Sequence, residues 1–147
     1  MATTGASSQD PPAPQPEKRV RFVEASAERK PGSRVSVSVE VAFEGDSHVS
    51  VAEGIGTETI EIRLAASATL EAIHEVTGTP LFSLVGVKRM HAFDADVILV
   101  ALRDPEIEGT RYIGAVAVRT TLVAAAAAAV MDATNRVLFQ RRGPNRE

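Results

Sequence analysis

Six consecutive alanines, Ala124 to Ala129, lie within the stretch TTLVAAAAAAVMDATNRVL at residues 120–138. Alanine has the highest intrinsic helix propensity, and Gly143 and Pro144, which follow the stretch, are residues typical of a helix end. We therefore predict a helix from about Thr121 to Phe139. Because its side chains are so small, such a helix can lie very close to a β-sheet. The chain is thus expected to combine helices with a sheet.

The alanine-rich helix has more than one small-residue face. On helical spacing, the sheet-facing side is predicted to hold Leu122, Ala126, Ala129, Ala133 and Val137. Ala124, Ala127 and Ala128 fall partly on the opposite side, where small residues allow another helix to pack closely. This second face is our predicted contact with either the neighbouring helix or a second subunit.

The first half of the chain predicts three strands and a helix. Residues 34–43, RVSVSVEVAF, alternate valine with small or charged residues, as a strand with one buried face does. The turn EGDS and the segment HVSVAEG complete an antiparallel hairpin, and RVRFVEASAE precedes it as a further strand. An apolar stripe at three- and four-residue steps then predicts a helix that ends at Gly78 and Pro80.

The second half repeats this order. Strands are predicted at about Leu81–Ala92, Asp96–Leu102 and Arg111–Val118, before the alanine-rich helix. ATLEAIHEV at residues 68–76 also aligns with AVMDATNRV at residues 129–137. The predicted fold class is therefore α+β: a duplicated three-strand-plus-helix unit with antiparallel strands and both helices on one face. The repeats span about 19–79 and 80–140, between a disordered arm (1–18) and a short tail (141–147).

The second half resembles a known family. The segment DADVILVALRDPEIEGTRYIGAVAVRTTLVAAAAAAVMDATNRVL, and MDATNRVL most closely, is similar to the C-terminal regulatory, or dimerisation, domain of 2-isopropylmalate synthase and citramalate synthase. The resemblance implies a duplicated unit over roughly residues 34–140. It also implies a non-catalytic module that binds a branched-chain end product near its subunit interface.

The resemblance implies a ligand-binding turn before the first helix. Gly54 and Gly56 in AEGIGTE match the family's two glycines, and the predicted ligand-binding residues are Gly54, Gly56, Thr57 and Thr59. Thr57, Glu58 and Thr59 stand where the family has a proline, a small or branched residue and an aspartate. In the second half only Gly114 matches. A turn that needs glycine for its backbone dihedrals also explains the two glycines, and Glu53 and Glu58 would repel an anion.

Composition and spacing exclude several kinds of site. The absence of cysteine excludes disulfides and thiolate chemistry, and no phosphate-binding loop occurs. His48, His74 and His91 lack metal-ligand spacing, so neither a metal nor a cofactor is predicted. The carboxylates of Asp94 and Asp96, and of Asp104, Glu106 and Glu108, are interpreted as ordinary solvated groups. We predict a protein that is not an enzyme.

Three function classes remain open. The first is a small-molecule-sensing or dimerising module that acts on a partner protein, and the second is an assembly protein without a metabolite ligand. The third, a nucleic-acid binder, is disfavoured by the 4% aromatic content and by a net charge of −3. Basic residues do occur near both ends, at Lys18, Arg19, Arg21, Arg29, Lys30, Arg34, Arg136, Arg141, Arg142 and Arg146. We expect a homodimer, because strand edges and one sheet face are left open. Without a secretory signal or membrane span, a cytoplasmic location is expected.

Overall fold

A computed structural model describes residues 19–141, apart from the side chains of residue 136 and residues 139–141. The elements, in chain order, are strands β1 (Arg21–Lys30), β2 (Arg34–Phe43) and β3 (Asp46–Ile55), helix α1 (Glu58–Thr77), strands β4 (Ser83–Ala92), β5 (Ala95–Arg103) and β6 (Arg111–Ala117), and helix α2 (Leu122–Arg141). The predicted arm, and the predicted tail beyond residue 141, lie outside the described residues.

The six strands form two separate antiparallel sheets, each in sequence order. The first sheet is β1-β2-β3 and the second is β4-β5-β6, so β2 and β5 are the central strands. Valines at positions 35, 37, 39 and 41 of β2 are fully buried, and Ile98, Val100 and Leu102 are their counterparts on β5. Alternate residues of each central strand therefore face the core, as the period-two pattern predicts.

A two-residue turn connects each central strand to one of its neighbours. Glu44 and Gly45 join β2 to β3, and Phe93 and Asp94 join β4 to β5; all four residues have positive φ. Consecutive positive φ values characterise the type I′ turn, whose twist matches that of the flanking strands. Glycine takes this conformation readily, whereas a bulky residue such as Phe93 rarely does.

Each helix contacts both sheets and the other helix. Helix α1 packs on β2 and β3 and also reaches β4, and helix α2 packs on β5 and β6 and also reaches β1. The first helix ends as its sequence predicts: Gly78 has left-handed backbone geometry after α1, and its N–H donates to the carbonyl of His74. Contact on several sides explains why both helices are rich in alanine.

Helix α2 is buried nearly all round. Ala126, Ala129 and Ala133 face the core as predicted, but Ala127 is also fully buried. Ala124 and Ala128 are partly exposed, and Asp132 on the same stripe is exposed. Of the three alanines predicted to contact the neighbouring helix or a second subunit, only Ala124 and Ala128 thus retain surface for another chain.

The structure confirms an α+β fold built from a duplicated unit of three antiparallel strands and a helix. The strands are divided between two sheets, each covered on one face by helix and open on the other. No helix within residues 19–141 is long and apolar enough to cross a membrane.

Candidate functional site

The turn between β3 and α1 holds the four residues predicted to bind a ligand. Gly56 has φ of 149°, and a Cβ atom there would overlap the side chain of Ile60. Its N–H donates to the Ser33 carbonyl at 3.0 Å, and its own carbonyl accepts from Arg29 Nη1 at 3.2 Å. Thr57 precedes the helix in an extended conformation, and its side chain makes no capping hydrogen bond. Gly56 is therefore required for the backbone path and for packing, whether or not a ligand binds.

Gly54 lies two residues before Gly56, in β3, on which α1 packs. A Cβ atom there would lie 3.4 Å from side-chain atoms of Ile60 and of Leu64, which is close contact without overlap. Thr59 is exposed on the first turn of the helix. The four predicted residues thus lie together, but the two glycines are explained by the close packing of α1 on β3.

Arginines neutralise the carboxylates around the start of α1. Glu61 pairs with Arg29 at 2.6 Å, and Glu58 accepts from Arg89 of β4, also at 2.6 Å. The other guanidinium nitrogen of Arg89 donates to Asp96 of β5 at 3.0 Å. These pairs offset the repulsion of anions that was expected from Glu58.

The Arg89 cluster links the helix of the first unit to the sheet of the second. The hydrogen bond from Arg89, followed by that from His91 at 3.5 Å, lowers the pKa of the Asp96 carboxyl below its ordinary value. The same bond and the charges of Asp96 and Glu58 raise the pKa of Arg89. All of these groups are exposed, so the cluster is a solvated contact between units rather than a buried reactive centre.

A cavity opens where the two units meet. It lies between α1, the end of β3 and the start of β4, and it has a volume of about 410 Å³. Its described lining combines an apolar wall with two hydroxyls and one carboxylate: Ala52, Leu70, Leu81, Phe82 and Leu84, with Ser67, Ser83 and Glu71. Gly54, Gly56, Thr57 and Thr59 are not among these lining residues. The cavity is large enough for a small metabolite.

The polar residues of the cavity had a weak signal in the sequence. Ser67 and Glu71 are four residues apart on α1, so they share one helix face. That pattern is equally typical of a solvent-facing stripe, and only the approach of residues 81–84 makes it one wall of a cavity.

Two polar residues of MDATNRVL hold the fold together. Asp132 Oδ2 accepts the N–H of Ala115 on the edge strand β6, at 3.2 Å. Asn135 forms two hydrogen bonds of 3.1 Å with the backbone of Val20, one to its N–H and one to its carbonyl. MDATNRVL therefore joins α2 to both units.

One carboxylate of the charged loop between β5 and β6 differs from its interpretation as an ordinary solvated group, whereas Glu106 and Glu108 are exposed. Asp104 is only 3% exposed. Its Oδ1 accepts the N–H groups of Glu106 and Ile107, and its Oδ2 accepts the hydroxyl of Tyr112 at 2.6 Å. A carboxylate that follows a strand can organise the next turn in this way, which gives Asp104 a structural role.

The three histidines lie on three different elements, β3, α1 and β4. His74 Nδ1 is 2.6 Å from the Thr79 carbonyl at the end of α1, and His48 lies on β3. Across residues 19–141, no group of three or more His, Cys, Asp or Glu side chains is arranged to hold a metal ion.

No protein-family model matches the chain, and no curated protein matches it either. The resemblance to the regulatory domain of 2-isopropylmalate synthase therefore stays a prediction from the quoted segments.

Proposed function

We propose that this protein is a non-catalytic, small-molecule-binding regulatory module that works as a homodimer and acts on a partner protein. The observation that carries the proposal is the cavity between the two units. A ligand there would touch α1 of the first unit and β4 of the second, so its binding would favour one arrangement of the units over others.

The lining of the cavity supports one class of ligand. Leu70, Phe82 and Leu84 favour a compact apolar group, and Glu71 supplies the one formal charge. A carboxylate attracts an ammonium group and repels an anion, whereas the hydroxyls of Ser67 and Ser83 can donate to a ligand carboxylate. This combination favours an amino acid with a branched apolar side chain over the corresponding 2-oxo acid.

A thermal-unfolding screen of the full chain tests this proposal. Leucine, isoleucine and valine are compared with their 2-oxo acids, which differ by the ammonium group. A ligand at one hundred times its dissociation constant adds about 2.7 kcal/mol, so the midpoint should rise by roughly ten degrees. Stabilisation by the 2-oxo acids alone, or by none of the six compounds, would contradict the proposed ligand class.

A pair of variants locates the ligand. Glu71→Gln removes the charge that the ammonium group needs, and affinity should fall roughly 10- to 100-fold, as for a lost charged hydrogen bond. Glu75→Gln is the matched control, since Glu75 is exposed one turn further along α1 and does not line the cavity. Equal titration curves for both variants would place the ligand elsewhere.

One observation favours the second candidate function, an assembly protein without a metabolite ligand. The open face of the second sheet is apolar in its centre, which is typical of a surface covered by another chain. The nucleic-acid alternative gains less support, because Arg29 and Lys30 pair with Glu61 and Glu53. A flat ligand screen combined with a stable dimer would favour assembly.

A further inference from the structure

We propose that two copies of this chain associate through the open faces of their second sheets, with each Phe93–Asp94 turn seated on the Arg103–Arg111 pair of the other copy. This inference rests on the proposed homodimer and names its surface. The open face means the side of β4-β5-β6 that is turned away from the helices.

The open face is apolar where solvent would normally meet polar side chains. Directly opposed residues in antiparallel strands share a face, so the register places Leu99 beside Ala115 and Ala101 beside Gly86 and Ile113. On β2, the central strand of the first sheet, the same side carries Ser36, Ser38 and Glu40. In an antiparallel sheet with one solvent-exposed face, apolar and polar residues alternate along each strand, as they do in β2. The strand β5 is instead apolar on both faces. The central strand of the second sheet is therefore apolar on the side that no helix covers.

The centre of this face has the shape of a contact surface. A shallow hollow of about 240 Å³ is lined by Gly86, Leu99, Ala101 and Ile113, with Lys88 at the edge strand. Ile113 is 52% exposed in the single chain. Small residues in the hollow let the large side chains of a second copy approach, and they leave little polar surface to desolvate.

The charged side chains of the open face lie at its rim, and all of them are basic. Lys88 lies on the edge strand, and Arg103 and Arg111 are direct neighbours at one end. No carboxylate shares this side of the three strands, although the chain as a whole carries a net charge of −3. Like charges directly opposite each other destabilise a sheet, and neither arginine has an ion pair within residues 19–141. An acidic group from outside would relieve that repulsion.

The opposite end of the same strands offers such a group. The two-residue turn between β4 and β5 carries Asp94, next to Phe93, which is 99% exposed and has φ of 54°. The equivalent turn of the first sheet, between β1 and β2, has three residues, Pro31, Gly32 and Ser33, and the first of its positive φ values falls on glycine. A strained backbone that displays an aromatic side chain to solvent often marks a binding feature. An aromatic ring can also stack against a guanidinium group.

Symmetry selects one orientation of the two copies. A two-fold axis parallel to the strands would stack the arginine ends on each other. An axis in the contact plane and perpendicular to the strands places the Arg103–Arg111 end of one copy over the Phe93–Asp94 turn of the other, twice. Only the second arrangement pairs opposite charges.

The area of the open face limits how much surface the contact between two copies can bury. Three strands about 4.8 Å apart and about 27 Å long cover roughly 14 Å by 27 Å. That is about 400 Å² per copy before the turns are added, and stable interfaces bury about 800 Å² per partner. The turns are therefore needed to complete the interface, because the strands alone give only the area of a weak contact.

Sedimentation velocity of the full chain over a range of concentrations tests the inference. Wild type should dimerise, whereas Asp94→Arg and the double variant Arg103→Asp/Arg111→Asp should each be monomeric, because like charges then meet. An equimolar mixture of the two variants should restore the dimer, since both reciprocal contacts become complementary. Rescue on mixing also shows that both variants are folded.

Two further variants distinguish this surface from the other exposed surfaces of the chain. Arg21→Asp/Arg34→Asp makes the same charge change on the open side of the first sheet and should leave association unchanged. Phe93→Gly should raise the thermal midpoint of the monomer, because glycine accepts positive φ, and should weaken the dimer. A merely structural role for Phe93 would not move these two quantities in opposite directions.

The outcomes are distinct. Dimers that persist in both charge variants would overturn this surface and leave the proposed homodimer standing on another one. Wild type that stays monomeric at every concentration would overturn both. Ligand binding to the cavity is measured separately and would survive either result.

Discussion

Replacing Gly114 with alanine should loosen the contact between α2 and its sheet. Gly114 lies in β6, is buried, and has no positive φ, so its role concerns space rather than backbone conformation. A Cβ atom there would overlap the carbonyl oxygen of Ala129 and lie 2.9 Å from the amide nitrogen of Ala133. Backbone cannot rotate away as a side chain can, so the whole helix must move outward.

The cost follows from the contacts that this movement opens. Ala126, Ala129 and Ala133 on α2 are fully buried or nearly so. A gap of about 0.5–1 Å forfeits a quarter to a half of each dispersion contact, and overpacking of a core costs roughly 1–3 kcal/mol. Because the obstacle is backbone, we expect about 3 kcal/mol, or a fall of about 10 °C in the thermal midpoint.

Urea and thermal unfolding, monitored by circular dichroism, measure this cost. Gly86→Ala is the matched control, because Gly86 also lies in a strand of the second sheet and a Cβ atom there meets nothing within 4 Å. Alanine in a strand is slightly favoured over glycine, so the control, unfolded at a protein concentration too low for association, should have a midpoint at or just above that of wild type. Equal midpoints for the two variants would refute the close approach of helix and strand.

Two further predictions concern carboxylates. Asp104→Ala should destabilise the fold by about 3 kcal/mol and Tyr112→Phe by about half as much in urea unfolding, since the buried carboxylate accepts two N–H groups and the tyrosine hydroxyl. A loss below about 0.5 kcal/mol for Asp104→Ala would contradict that role. Because Arg89 and then His91 lower the pKa of Asp96, its stabilising effect exists above the unfolded pKa of about 4 and disappears as pH falls through the folded pKa. The stability deficit of Asp96→Asn should thus shrink as pH falls below about pH 4; a deficit that grows below about pH 4 would be inconsistent with it.

Much of the secondary structure was predictable because its signals are local. The alternation of Val35, Val37, Val39 and Val41 indicates a strand wherever the strand ends up, and Gly78 followed by Pro80 ends a helix for reasons within its own backbone. The order of elements followed from the same signals, and with it the duplicated unit.

The division into two sheets and the surroundings of each helix were not predictable in the same way. Ala127 was predicted to contact either the neighbouring helix or a second subunit, and it is fully buried on a helix that packs against its neighbouring helix and both sheets. Alanine is neutral enough for an exposed or a buried position, so its burial depends on what approaches it.

The residues of the candidate site divide in the same way, into those with a local signal in the sequence and those without one. The turn with Gly54 and Gly56 stands out in the sequence, because glycine reports a backbone requirement. No local pattern in the sequence marks Ser67, Glu71 and Ser83, because they form one site only where the two units pack together.

The sequence by itself determined where the chain is extended, where it is helical and where it turns, because propensity, periodicity and capping act between residues close in the chain. Tertiary structure decided which alanines are buried, that Asp104 is enclosed, where a cavity opens between the units and which sheet face is left apolar. These properties depend on surfaces brought together from distant parts of the chain, and burial is a property of the packed surface rather than of the residue.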